Sequence, residues 1–473
     1  MMLVPGHLSD SHLSAWMLLP PGASAPNLRA RALATQAVVD ATLGPPRTLP
    51  ESLSGWRWHV AMFTGLTGDR EYVIESLQPG AAWKDECVAR TLPSALPAEG
   101  LTFAIGSCFY KENDQGVGAA FRRLASSHRP RFKLLLGDQV YADVPWHAGS
   151  PMDRMRRDYF ERYLEYWRHG SYAGWLQSTP NMTTFDDHEY WNNFPERAIW
   201  LSRSSAANAP LTRAAALEAL ETFQIPLNPP SPRHQTWYSF EAAGLPFMVA
   251  DVRSWRDAFG TTAQPGFLGA GRQLADIERW CSSLRTPGVL VLGQPLLQSP
   301  AGSFQSRIAD AALADFPEQY AALWRAIARA PWDVLVLSGD IHCGRLAVAS
   351  CLVDGRVRDI HEFIASPLSL VASMPFGGSG SRGSFEAILP TRVDIAVTPA
   401  ERIGPVVYET KGGTCRDNVG LITVAPDPNQ PPSSRGVEVH CRLIDIATGS
   451  IAEAEDGPHG ARCDWTYKLR RRF

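Results

Sequence analysis

Apolar and polar positions change their rhythm near residue 100. Before it, runs such as "WRWHVAMFTGL" and "REYVIESLQPG" read as strands closed by turn residues, so residues 1–98 are expected to form a β-rich domain. No cluster of acids or histidines stands in that part. From Thr102 onward strands alternate with helical segments, and residues 99–473 are expected to be a second, α/β domain. In "MRRDYFERYLEYW" the residues Met155, Tyr159, Phe160, Tyr163 and Trp167 keep helical spacing and mark a core face. Further helices are expected at "PLTRAAALEALETF", stopped by Pro226, at "GRQLADIERWCSSL" and at "EQYAALWRAIARA". The stretches "PFGGSGSRGSF" (Pro375 to Phe385) and "DPNQPPSSRG" read as surface loops, and "GVEVHCRLIDI" and "DWTYKL" as strands. No repeat of about 20 to 50 residues is visible, which sets solenoids and propellers aside.

Length and charge narrow the picture. A chain of 473 residues has room for about two to three domains at ~150 residues each. Lys plus Arg is 45 against 48 for Asp plus Glu, so a net charge of −3 offers no global field for nucleic acid or anionic lipid. The basic runs "RRLASSHRPRFK" (Arg122 to Lys133) and "KLRRRF" read as a solvated face and tail. The first residues lack a basic segment ahead of an apolar core, and no apolar run reaches ~18 residues. A cytoplasmic protein without a membrane span is expected. Eight cysteines without C-x-x-C spacing disfavour a zinc knuckle, and most, Cys343 included, are expected to be packed thiols.

Four apolar strands each end in a polar knot: "LTFAIGSC" at Cys108, "FKLLLGDQVY" at Asp138 and Tyr141, "MTTFDDHE" at Asp187 and His188, and "DVLVLSGDIH" at Asp340 and His342. Taken singly, a Gly-Asp after a strand is a turn and a lone histidine is a satisfied core or surface residue. Together they share one position relative to a strand and carry oxygen, nitrogen or sulfur donors. Ligands in open α/β sheets sit beyond the carboxyl ends of strands, so the four ends are expected to converge. Metal-assisted hydrolysis needs such a set: carboxylates suit hard ions, imidazole borderline ones, and one Asp can bridge two ions. A phenol with a free pKa near ~10 becomes a ligand only against a strongly acidic ion such as ferric iron.

These residues resemble the alkaline phosphatase D (PhoD-like) branch of the calcineurin-like metallophosphoesterases. Further landmarks of the resemblance follow in order: "YWNN", "FMVADVRSWRD", "GFLGAGRQLADIERW" and "EFIASPLS". It implies an α/β (α+β) fold, a four-layer sandwich of two mixed β-sheets flanked by helices, with a smaller N-terminal β-rich domain beside it. It implies that Cys108, Asp138, Tyr141 and Asp340 hold Fe3+, and that Asp138, Asp187 and His342 face a second metal. The usual histidine before the last motif is missing, with Gln294 nearby instead, and an oxygen-rich site favours Ca2+, Mg2+ or Mn2+ over zinc. His188 is expected to contact phosphate and protonate the leaving group, or else to orient Asp187. Arg253 is a phosphate clamp or an ordinary ion pair, and Asn192 and Asn193 are amide ligands or substrate-orienting groups. The implied reaction is attack of a metal-bound hydroxide on the phosphorus of a small phosphomonoester or phosphodiester. A non-catalytic metal-binding scaffold of the same fold is the alternative, and a serine hydrolase is disfavoured because no G-x-S-x-G elbow is present.

Overall fold

The alternation in the first ninety residues builds two antiparallel sheets. The computed structural model describes residues 1–50, 53–143, 152–197, 201–232, 234–269, 271–298, 310–353, 356–369, 392–396, 402–430, 435–455 and 460–472. Met2–Leu8 and His12–Leu19 form a hairpin that continues onto Arg57–Thr64. Asn27–Ala32, Glu71–Leu77 and Lys84–Arg90 belong to the second sheet. The hairpin strands are apolar at successive positions because both faces are covered. Leu13, Ala15 and Met17 face a core shared with Leu28, Ala30 and Ile74. Val4, Trp16 and Leu18 point the other way, into a core shared with helical residues. There Trp16 packs edge-on against Trp167, with ring centroids 5.1 Å apart.

Two larger mixed sheets follow. In the first, Leu101–Gly106, Lys133–Leu136 and Asn181–Thr184 run parallel, and Asn418–Pro426, Val437–Asp445 and Asp464–Leu469 extend it antiparallel. In the second, Leu245–Val249, Gly288–Val291, Val334–Ser338 and Arg356–Ile364 are parallel, with antiparallel partners on both sides. Between the sheets Phe103 stacks on Phe132 at 5.1 Å, and Phe247 from the opposite sheet meets both edge-on. Helices α1 (Val117–His128), α2 (Met152–Trp167), α3 (Gly170–Gln177) and α4 (Ala209–Phe223) cover the first sheet. Helices α5 (Arg272–Ser283) and α6 (Pro317–Arg329) cover the second. The order helix, sheet, sheet, helix is the four-layer arrangement expected.

Several local readings change. The basic run before Lys133 is largely helix α1, whose Val117, Ala120, Phe121 and Leu124 form a buried stripe. Lys133 is not solvated: it is wholly buried and donates to the carbonyls of Trp175 and Thr179 at 2.7 and 2.8 Å. Likewise Arg472 in the tail pairs with Asp333 at 2.6 Å. Cys343 is not a thiol but half of a disulfide with Cys415, whereas the other six cysteines are free and buried. Among the described residues no helix is long and apolar enough to cross a membrane. The expected loop Pro375 to Phe385 lies outside the described residues.

Candidate metal centre

Strand direction brings the four knots together. Leu101–Gly106, Lys133–Leu136, Asn181–Thr184 and Val334–Ser338 all release their chains at carboxyl ends on one edge of the sandwich. Each turn there is abrupt: Cys108, Asp138, Asn193, Asp340 and His342 have φ of 56°, 52°, 63°, 72° and 53°. Left-handed backbone at non-glycine residues costs about 1–3 kcal/mol each and persists where the surroundings enforce it, commonly at functional sites. Gly137 has φ of 89°, and a Cβ there would lie 2.6 Å from the Cβ of Asp186. Only glycine lets the Asp138 and Asp186 turns pack this closely.

The side chains converge on Asp138. Ligand atoms of Cys108, Asp138 and His342 lie within 4.8 Å of one another, as do those of Asp138, Asp187 and His188, and those of Asp138, Asp186, Asp187 and Asp340. Tyr141 Oη is 3.2 Å from His342 Nε2, which places the phenol with the sulfur-containing group. Cys108 Sγ lies 3.5 Å from Asp138 Oδ2 and 3.4 Å from the carbonyl of Asp340. All six residues expected as ligands are therefore in one cluster with Asp138 common to its parts.

The cluster is electrostatically incomplete. Burial, aided by neighbouring acids, outweighs the opposing charges of His188 and Arg253 and pushes the carboxyls of Asp138 and Asp186 well up, and burial with neighbouring acids brings that of Asp340 to about 7. Burial also raises the Cys108 thiol and the Tyr141 phenol, and nearby acids add to both. The Oδ2 atom of Asp186 is buried without a hydrogen-bond partner. Burial lowers His342 to about 4, with the charge of His188 adding to it, so its imidazole is neutral, the form that ligates metals. Acids, a thiol, a phenol and a neutral imidazole crowded in low dielectric fit bound cations, whose charge relieves the repulsion and favours the deprotonated ligands.

The remaining expected residues take distinct places. His188 Nδ1 lies 2.9 Å from Asp143 Oδ1, and its ring sits 4.0 Å from that of Tyr141. Burial works against a charged imidazole, but Asp143, Asp187 and Asp138 outweigh it and hold His188 well above its ordinary value. Asp143 also accepts the N–H of Asn192 at 2.8 Å, and Asp187 accepts that of Asn193, so both asparagines enter the network through their backbone. Arg253 makes ion pairs. Its Nε meets Asp186 at 2.5 Å, its Nη2 meets Asp310 at 2.6 Å, and its side chain is fully buried. Gln294 donates to Asp340 Oδ2 at 3.1 Å and also bonds Asp310. Sequence reading did not single out Asp143, Asp186, Glu189 or Asp310, although Asp143 ends the "GDQVYAD" run and Asp186 opens "DDHE".

The PhoD-like phosphatase family model matches residues 103–384, more than half of the chain and all four knots. The chain belongs to the PhoD-like phosphatase family. Alkaline phosphatase D of Bacillus subtilis (strain 168) is 29% identical over 184 residues, covering 34% of this chain and 30% of that protein. The match therefore spans under a third of that curated relative. A solved structure of PhoD superposes with a TM-score of 0.66 at 18% identity, covering 100% of this chain and 91% of its own. The purple acid phosphatase PPD1 from yellow lupin (Lupinus luteus) seeds superposes with a TM-score of 0.55 at 12% identity, covering 98% and 73%. At these identities the two structures show a shared fold, and the family's expected four-layer architecture is borne out.

Proposed function

We propose that the chain is a metal-dependent phosphoesterase acting on small phosphomonoesters or phosphodiesters. The carrying observation is the convergence of Cys108, Asp138, Asp187, Asp340 and His342, with Tyr141 against His342, on one cluster of buried and half-buried donors. Cys108, Asp138 and Tyr141, with Asp340 beside them, would hold Fe3+. The oxygen-rich side, with Asp138 shared and Asp187 opposite, would take Ca2+, Mg2+ or Mn2+. Bound cations supply Lewis acidity, polarising phosphoryl oxygens and making water a nucleophile near neutral pH. The chain's own contribution is positional and protonic. Asp138 joins the two sides, and His342 is kept neutral for ligation. His188, oriented by Asp143, holds a proton at Nε2 for the departing alkoxide. Arg253 orients Asp186 from behind, so phosphate recognition is assigned to the cations and His188. Asn192 and Asn193 shape the rim through the loop that their N–H groups tie to Asp143 and Asp187.

The test is hydrolysis of 4-nitrophenyl phosphate and bis-(4-nitrophenyl) phosphate with each metal in turn. Asp138→Asn is expected to abolish turnover, while circular dichroism stays as in the parent. Undiminished turnover in that variant would sink the proposal. The Cys343–Cys415 disulfide favours an oxidising compartment, because such bonds are rare in the cytosol, and it stands against the cytoplasmic expectation.

A further inference from the structure

We propose that Glu189 is a positioning residue for the metal centre, its carboxylate setting the Asp138 turn and the Asp186–Asp187 turn in register. The inference rests on the reading of the cluster as a metal site. Glu189 follows His188 in "DDHE", is wholly buried, and reaches no ligand side chain as an acceptor. Its Oε2 accepts the backbone N–H of both Asp138 and Asp186 at 2.9 Å. Its Oε1 accepts the N–H of Gln139 at 2.6 Å and Nε2 of Gln224 at 3.1 Å. One carboxylate thus gathers two strand-end turns and the end of helix α4.

The choice of partners matters. Asp138 belongs to every ligand group of the cluster and carries left-handed backbone, φ 52°, that its own side chain does not favour. The two bonds to Asp138 and Gln139 hold that turn from outside, and the bond to Asp186 sets the neighbouring Asp187 against it. With four donors converging on two oxygens, Glu189 has the acceptor capacity of an ionised carboxylate filled by protein groups. That makes it a support for ligands rather than a ligand. Replacing one oxygen by an amide nitrogen would turn a donor toward a backbone donor with almost no change in volume.

Glu189→Gln in the full chain, stripped of metal, is therefore expected to bind Mn2+ about 10–100-fold more weakly than the parent by titration calorimetry, the range seen when outer supports of metal ligands are removed. Met17→Ala, in the N-terminal core, is the comparison: it lowers the melting temperature but leaves Mn2+ affinity unchanged. Parental affinity in folded Glu189→Gln would overturn the inference, as would an equal loss in Met17→Ala. Should Glu189→Gln not fold, Gln224→Leu removes one of the four donors and is expected to weaken Mn2+ binding in the same direction, with no weakening overturning the proposal. A parent that binds no metal would instead bring down the reading of the site itself.

Discussion

At the residue scale, the proposed leaving-group chemistry rests on the pair His188 and Asp143. Asp143 occupies Nδ1, leaving Nε2 as the atom that can pass a proton. General acids contribute about 10²–10⁴-fold, and their contribution grows as the leaving group becomes more basic. His188→Asn is expected to cost that much with alkyl phosphates and far less with 4-nitrophenyl phosphate; an equal loss with both would remove His188 from the proton-transfer role. Asp143→Asn should fall between parent and His188→Asn. Tyr141 makes a separate prediction. Iron-loaded parent protein should absorb visible light through a ferric phenolate, and Tyr141→Phe should lose the band, whereas an unchanged spectrum would take the phenol out of the iron shell. Sequence showed the candidate ligands because each lies within a short turn past the end of an apolar strand. Asp143 and Asp186 were hidden because their partners, His188 and Arg253, lie 45 and 67 residues away.

At the element scale, one covalent tie stands beside the site. Gly344 pairs with Thr414 across two antiparallel strands, and the Cys343–Cys415 bond closes the next rung, one residue from His342. A bridge across a separation of 72 residues restricts the unfolded chain, worth about 2–4 kcal/mol in typical proteins. The double variant Cys343→Ser, Cys415→Ser is expected to lose stability of that order in urea titration, and a loss near zero would show that the rung adds nothing. Helix spacing was readable wherever an apolar stripe ran long, as in α2, α4, α5 and α6. Helix α1 was missed because its stripe is short, ending at Leu124, and the arginines and serines on its other face read as a solvated run, and the pairing of Cys343 was missed because two cysteines far apart in sequence carry no sign of a shared ladder.

At the scale of the whole molecule, the N-terminal sheets are held by a core and by buried charge. Glu75 is nearly inaccessible and bonds Arg29 and Arg31 at 2.6 and 2.8 Å. Burial pulls its carboxyl up, but the two arginines outweigh it and hold it below the usual range. A depressed folded value means stabilisation present above the unfolded pKa, near ~4.3, and lost as pH falls through the lower folded value. Glu75→Gln is expected to lower the urea midpoint at pH near ~7, with parent and variant converging as the pH falls below the ordinary glutamate range; parallel curves throughout would refute the linkage. On its other face the first N-terminal sheet leans on α2 and α4 through Trp16, Trp167 and Phe223. This is why the opening strands are apolar on both sides.

What the sequence determined by itself was local: strand and helix periodicity, the abrupt turn from apolar strand to polar knot, and donor types that suit metal ions. These follow from neighbours along the chain, and the motifs they form carried the family resemblance that implied the four-layer fold and the six ligand candidates. Only the tertiary structure decided which donors share a pocket, that Arg253 answers Asp186 and Asp310, and that Asp143 orients His188. Those outcomes depend on electrostatics between buried groups from different strands, whose distances are set by how two sheets pack and which of their edges face each other.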